Sequence, residues 1–379
     1  MSYWESEELF FDGDHYFDRL IKDIEAATES INVEIYIFND DLLGRKMAAH
    51  LVAAHIRGVK VQVIVDGVGS YNFYDHLSGL FSKRGVMVKT YNPLPFLHPF
   101  YGEVNFLRKL QIFVLRFLRL NKRNHRKIIT IDENILYTGS FNFTAEHTSY
   151  YHASAWKDMG VRVTGQMVKY AVLNFKRNWK LREYYRYKKA LKKLPRSNWR
   201  QSPLRMNHTL MMKRYFYKNF LNRIHRAQKR IWFVTPYFIP RRRIIRLLGA
   251  AAERGVDVRL LTTWKTDVKL FRTLQFFYYP YLLSKGVKVF QYSDSVLHAK
   301  NYIIDDWMTI GSTNLNHRSL IHDLEVDLVV QDSVNKEKVE EHFLEMTGKL
   351  ELVTPESMRG LTFADRMMGR LYFLFRYWL

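Results

Sequence analysis

The chain carries one pattern twice, and the second copy begins 200 residues after the first. INVEIYIF at Ile31 follows a helical segment, and IWFVTPYFIP at Ile231 does the same. Each copy continues into a helix that ends in an Arg-Gly-Val turn, Arg57-Gly58-Val59 and Arg254-Gly255-Val256. Each turn opens a strand, VKVQVIVDG and VDVRLLTTW. A second helix ends at Gly85-Val86 and Gly286-Val287, again before a strand. Strands alternating with helices of this length predict right-handed βαβ units and a largely parallel sheet in each copy. The expectation is two similar α/β halves packed face to face.

The chemistry sits where the copies become most alike. His125-Arg126-Lys127 and four residues lead to Asp132, then to Gly139-Ser140-Phe141-Asn142. His298-Ala299-Lys300 and four residues lead to Asp305, then to Gly311-Ser312-Thr313-Asn314. Both copies read His-x-Lys-x4-Asp followed by Gly-Ser-x-Asn, with one residue of difference in the turn after the Asp. On a strand, residues two apart share a face, so the His and Lys of each copy point the same way. Ser140, Asn142, Ser312 and Asn314 follow small glycines that allow close approach by a ligand. Asp132 and Asp305 complete the motifs, but a carboxylate at the end of a strand suits a turn, and a structural role is expected for both.

Two imidazoles, two ammoniums and hydroxyl and amide donors suit phosphoryl transfer. Lys127 and Lys300, with Ser140, Asn142, Ser312 and Asn314, can hold the oxygens of a phosphodiester and stabilise charge in the transition state. One histidine can attack phosphorus while the other protonates the leaving alcohol and later deprotonates the incoming one. Lysine supplies the positive charge, so neither a metal nor another cofactor is expected. The 379 residues include no cysteine, which excludes thiolate catalysis and thiolate metal ligands.

A formal charge of +22 favours a polyanionic partner. The acidic N-terminus, MSYWESEELF, does not read as a cleaved signal. No uncharged apolar run reaches the ~20 residues of a spanning helix. Three segments fall outside the repeat. The first copy gains 28 residues, about 92–121, in which Phe106, Leu110, Phe113, Phe117 and Leu120 recur at helical spacing beside Arg108, Lys109, Arg116 and Arg119. Such a basic amphipathic helix suits either a membrane interface or the core. Residues 176–203 carry eleven Lys/Arg and one Glu among Trp and Tyr residues, and read as a linker. Residues 352–379 end in an aromatic tail, FADRMMGRLYFLFRYWL, that must dock on the core or enter a membrane interface. The expected organisation is a first lobe at 1–175, the linker, a second lobe at 204–351 and the tail.

The paired motifs resemble those of the phospholipase D superfamily. Asp40-Asp41 with Gly44, VDGVGS from Val65 to Ser70, TAEH from Thr144 to His147 and TPYFIP from Thr235 to Pro240 are similar to stretches of bacterial cardiolipin synthases of the shorter type. The resemblance runs from about Ile24 to about Glu351. It implies a pseudo-twofold pair of phospholipase D-like lobes, each a mostly parallel mixed sheet flanked by helices, with one active site between them. It implies a phosphatidyltransferase that forms cardiolipin by moving a phosphatidyl group from phosphatidylglycerol or another phospholipid onto phosphatidylglycerol through a phospho-histidine. The motifs are nearly symmetric and leave the order of the histidines open, and His125 is placed as nucleophile with His298 as acid/base. It also implies an acidic residue downstream of each motif that orients a histidine, here Asp158 and Glu325. The expected partners are a phospholipid substrate and an anionic phospholipid membrane, with the protein peripheral on the cytoplasmic side of a bacterial inner membrane. A phospholipase D-type hydrolase, or a phosphodiesterase acting on nucleic acid, is the alternative, with nucleic acid the less favoured partner.

Overall fold

A computed structural model describes residues 3–94, 111–114, 117, 121–180, 199–266, 273–354 and 356. Most of the insertion at 92–121, most of the linker at 176–203 and nearly all of the tail at 352–379 lie outside the described residues.

Each copy of the repeat forms a seven-stranded mixed sheet. In the first, β2 (Ser30–Ile35), β3 (Lys60–Asp66) and β4 (Met87–Tyr91) are parallel, joined by α1 (Leu42–Ile56) and α2 (Leu77–Lys83). The hairpin of β5 (Ile128–Ile131) and β6 (Ile135–Gly139) adds antiparallel to β2, followed by β7 (Gly160–Thr164) and β1 (Ser6–Phe10), so the order is β1-β7-β6-β5-β2-β3-β4. The second sheet repeats this plan. Its parallel arm is β9 (Arg230–Val234), β10 (Asp257–Lys265) and β11 (Lys288–Val296). The hairpin of β12 (Asn301–Ile304) and β13 (Trp307–Gly311) follows, then β14 (Val326–Val329) and β8 (Leu204–Met206).

The local chemistry explains the elements. The central strands are runs of buried Val and Ile, as a sheet covered on both faces requires. α1 begins where the Asp41 carboxylate accepts the Gly44 N–H at 2.8 Å, and it ends at Gly58, whose φ of +98° closes the turn into β3. Gly255, at φ +88°, does the same in the second lobe. Two glycines at equivalent helix ends are the structural counterpart of the repeated Arg-Gly-Val.

The two sheets meet through a shared core. Ile128, Leu136 and Val161 of the first lobe and Met206, Val326 and Leu328 of the second belong to one buried cluster. Among the described residues no helix is long and apolar enough to cross a membrane.

Candidate active site

Two backbone clasps between the lobes assemble the site. In one, the His125 N–H donates to the Leu324 carbonyl at 3.0 Å, and the Leu324 N–H donates to Arg123 at 2.9 Å. In the other, the Lys157 N–H donates to Val296 at 2.9 Å, and the His298 N–H donates to Lys157 at 2.8 Å. Glu325 follows Leu324 and Asp158 follows Lys157, so each clasp lays a motif histidine beside a carboxylate of the opposite lobe. His125 Nδ1 lies 3.0 and 3.1 Å from the Glu325 oxygens, and His298 Nδ1 lies 2.8 Å from Asp158 Oδ1. All four side chains are buried.

The lysines complete the constellation. Lys127 Nζ donates to the His125 carbonyl at 2.8 Å, and Lys300 Nζ donates to that of His298. Each ammonium thus folds back along its own His-x-Lys segment. The strands begin just after these segments, at Ile128 and Asn301, so the His and Lys project from the lead-in to a strand rather than from the strand itself. Lys300 acts electrostatically on both His125 and Lys127, so charges from both lobes converge.

Burial sets the protonation states. Desolvation, then Lys127 and Lys300, hold His125 well below the usual imidazole range. Desolvation and Lys300 take His298 down to about 3. Desolvation and Lys300 also push Lys127 well below the ordinary amine range. The two carboxylates differ. Burial raises Glu325 to about 7. Burial also opposes ionisation of Asp158, but the His298 and His147 rings hold it well below the usual carboxylate range. Uncharged imidazoles leave a ring nitrogen lone pair free to attack or to accept a proton.

The remaining predicted residues divide. Ser312 Oγ donates to Glu325 and accepts the Val326 N–H at 3.0 Å. Ser140 Oγ instead latches the Met159 backbone, at 3.1 and 3.2 Å. Asn142 accepts the Ile37 N–H at 3.2 Å, leaving its buried Nδ2 without a partner, and the buried Oδ1 of Asn314 also has none. Asp132 and Asp305 make their side-chain contacts away from the histidines. They stand at the far ends of β5 and β12, five residues beyond each lysine. The Asp132 carboxylate accepts the N–H groups of Thr28, Glu29 and Ser30, and Asp305 accepts those of Gln228, Lys229 and Arg230. Each thus ties a hairpin turn to the entry of the neighbouring strand, the kind of contact expected of a turn carboxylate.

Several contributors had no motif to announce them. Asp66, in the VDGVGS stretch, accepts the Asn124 N–H at 2.8 Å and so fixes the residue before His125. The Tyr36 ring packs 4.8 Å from the His125 ring, with Lys127 Nζ 5.1 Å from its centroid. Trp156 packs 5.3 Å from His298. His147, in the TAEH stretch, places Nδ1 2.6 Å from Asp158 Oδ2. The same stretch is tied to α1: Asp41, which caps that helix, also accepts the Ala145 N–H at 2.9 Å. The candidate ligand atoms of His147, Asp158 and His298 lie within 4.8 Å of one another, close enough to surround a cation. The hydrogen bonds from both rings to one carboxylate account for that closeness, and the group reads as a proton-sharing triad.

Known proteins resemble this chain in sequence and in fold. A family model described as "Cardiolipin synthase, PLD-like domain" matches residues 20–179 and 220–347. Cardiolipin synthase B of Shigella flexneri is 30% identical over 330 residues, covering 86% of this chain and 76% of that protein. Cardiolipin synthase of Listeria welshimeri is 30% identical over 369 residues, covering 92% and 70%. The crystal structure of phosphatidylserine synthase from Haemophilus influenzae shares the fold, with a TM-score of 0.72 at 13% identity over 100% of this chain and 96% of that one. With both lobes matched and both His-x-Lys motifs brought against carboxylates of the opposite lobe, the chain belongs to the PLD-like domain family of cardiolipin synthases.

Proposed function

We propose that this protein is a cardiolipin synthase that joins two phosphatidylglycerol molecules through a phospho-histidine. The observation that carries the reading is the reciprocal pairing of His125 with Glu325 and of His298 with Asp158. A carboxylate on Nδ1 fixes the tautomer and leaves Nε2 for chemistry. His125 Nε2 attacks the phosphorus of the donor lipid. The P–N bond forms, the P–O bond to the headgroup glycerol breaks, and His298, which takes up a proton at Nε2 as the anionic phosphodiester binds beside it, gives that oxygen its proton. Glycerol departs. The terminal hydroxyl of a second phosphatidylglycerol then gives its proton to His298, its oxygen attacks phosphorus, and the P–N bond breaks to release cardiolipin. Lys127, Lys300 and the amides of Asn142 and Asn314 are assigned to the phosphate oxygens, where preorganised charge stabilises the transition state.

The reading includes a peripheral site on the cytoplasmic face of a bacterial inner membrane. Support comes from the charge of +22 and from the insertion. Residues 111–114 and 117 within it are helical, and Val114 and Phe117 are exposed large hydrophobics. Leu42 and Tyr71 follow the carboxyl ends of β2 and β3, the same sheet edge that leads to His125, and they too are exposed. An apolar rim beside a basic pocket suits a lipid headgroup layer better than a polar nucleic-acid groove.

The test incubates purified protein with vesicles containing labelled phosphatidylglycerol and analyses the lipid products. Cardiolipin and free glycerol are expected, with turnover lost in His125→Ala and His298→Ala. A labelled protein adduct that resists alkali and is cleaved by acid should accumulate in His298→Ala and not in His125→Ala. Phosphatidic acid as the sole lipid product would reassign the enzyme as a hydrolase. Cleavage of DNA without lipid turnover would reassign it as a nuclease.

A further inference from the structure

The two halves treat their orienting carboxylates differently. Eight residues after Gly311 stands Ser319, whose Oγ donates to Glu325 Oε1 at 2.5 Å. Eight residues after Gly139 stands His147, whose Nδ1 lies 2.6 Å from Asp158 Oδ2. The repeat thus places a residue at the same offset, against the same kind of carboxylate, but puts a hydroxyl in one half and an imidazole in the other. His147 is buried, its ring packed 5.3 Å from Trp156 and 5.4 Å from His298. Asp158 therefore serves two rings, one on each oxygen.

We propose that His147 is a positioning residue for the reaction: it anchors Asp158 Oδ2 so that Oδ1 meets His298, and it shares the carboxylate that would otherwise bind the His298 proton alone. This rests on the phosphatidyl-transfer reading, within which it deepens the assignment of His298 as acid/base. A general acid/base must give up its proton as readily as it takes one. An ionised carboxylate 2.8 Å away raises the proton affinity of His298 against the lowering by desolvation and Lys300, and a proton held more tightly is given up more slowly to a departing alkoxide. A second imidazole on the same carboxylate offsets that pull. Ser319 and Ser312 give Glu325 only hydroxyl donors, which suits a histidine that acts as a nucleophile.

The groups acting on His298 are Lys300, which with desolvation lowers its basicity, Asp158, which raises it, and His147, which lowers it. Asp158 in turn interacts with Lys127. Removing His147 deletes one lowering influence and frees Asp158 for His298, so His298 moves upward.

The experiment uses the full chain carrying His147→Ser, which copies the second half, and His147→Asn, which keeps a donor for Asp158 without an ionisable ring. Nuclear magnetic resonance of ring-labelled histidines, without substrate, follows His298, assigned by its loss in His298→Gln. Its titration is expected to rise by about one pH unit in both variants. Turnover of phosphatidylglycerol vesicles, and of bis(4-nitrophenyl) phosphate as a lipid-free probe, is then measured against pH. The falling limb should move upward by the same amount, because an acid loses activity as pH rises through its pKa. At the optimum, kcat should drop about tenfold in His147→Ser and less in His147→Asn, with KM little changed. An unmoved His298 titration with only a lower melting temperature would overturn the proposal and leave His147 as packing. A shifted titration in a protein that turns over the lipid-free probe but no phospholipid would uphold it while overturning the substrate reading.

Discussion

The imidazole of His125 lies 3.0 Å from the carboxylate of Glu325, two hundred residues further along the chain and in the other lobe. Neither lobe alone supplies a motif histidine with its carboxylate, so the reactive unit exists only when the lobes are clasped. Glu325→Gln keeps the shape of the side chain but offers Nδ1 an amide in place of an anion. Turnover is expected to fall ~10²–10⁴-fold, with KM changed much less, because the tautomer and the imidazolium lose their support. Asp158→Asn should behave alike at His298. Stability should move the other way for Glu325. Its folded pKa, about 7, lies above its usual value, so the unfolded chain ionises first and stability falls as pH rises from about 4.5 to about 7. Glu325→Gln removes that loss. Thermal melting at pH 4.5, 6 and 8 should show a flatter pH dependence than in the parent protein.

Lys127 is fully buried, and its ammonium is held well below the ordinary amine range by desolvation, then by Lys300. Lys127→Met should therefore melt at pH 7 no lower than the parent, since the folded state already disfavours the charge. Catalysis should suffer at least ~100-fold, because an electrostatic partner of the transition state is gone. The same substitution removes one of the charges that lower His125. A nucleophile must be unprotonated, so the rising limb of kcat/KM against pH should move to higher pH. A limb that stays in place would mean that Lys127 does not act on His125.

Asp132 and Asp305 bear on how much of this was legible beforehand. Their spacing marks them as members of the motif, and their chemistry as turn residues marks them as structural. The structure favours the second, since each carboxylate collects three backbone N–H groups of the entry to β2 or β9. Asp132→Asn, which still tolerates the φ of +49° there, isolates the charge. It should cost about 1–3 kcal/mol of stability at pH 7 and leave the specific activity of the folded protein within about twofold. Burial opposes ionisation of Asp132, but the backbone donors hold its pKa below the usual range. The stability it supplies is present at neutral pH and is lost as pH falls through its folded pKa. The difference between parent and Asn variant, read by thermal melting, should accordingly close in acid.

The parallel arm β2-β3-β4 and its copy were readable because helix-ending glycines and β-branched runs are local signals. The short outer strands Ser6–Phe10 and Leu204–Met206 were not, because five and three residues of mixed polarity carry no period. The histidines and lysines were legible for the opposite reason: the repeat multiplies a weak motif into a strong one. Which carboxylate serves which histidine was not, since that pairing is made by the clasps Asn124–Leu324 and Lys157–Leu297, contacts between distant segments with no local signature. His147 could have been noticed from its offset, eight residues after a motif glycine as Ser319 is. Its role becomes visible only with Asp158 beside it.

The exposed apolar residues of the insertion make the last prediction. Phe117 is 58% exposed in a helical segment whose sequence interleaves arginine with large apolar residues. Burying one aromatic ring in the headgroup–acyl boundary contributes roughly 1.5–3 kcal/mol, or about a tenfold to hundredfold change in partitioning. Phe117→Glu should lower sedimentation with anionic vesicles by at least ~10-fold, because it removes that burial and adds a charge repelled by the lipid surface. Turnover of phosphatidylglycerol dispersed in mixed detergent micelles should change far less, since the side chain is assigned to docking and not to the pocket. Added salt should weaken binding of the parent protein to anionic vesicles, as the charge of +22 requires, and weaken binding of the variant in parallel. Equal losses on vesicles and on micelles would place Phe117 in substrate entry rather than in membrane docking.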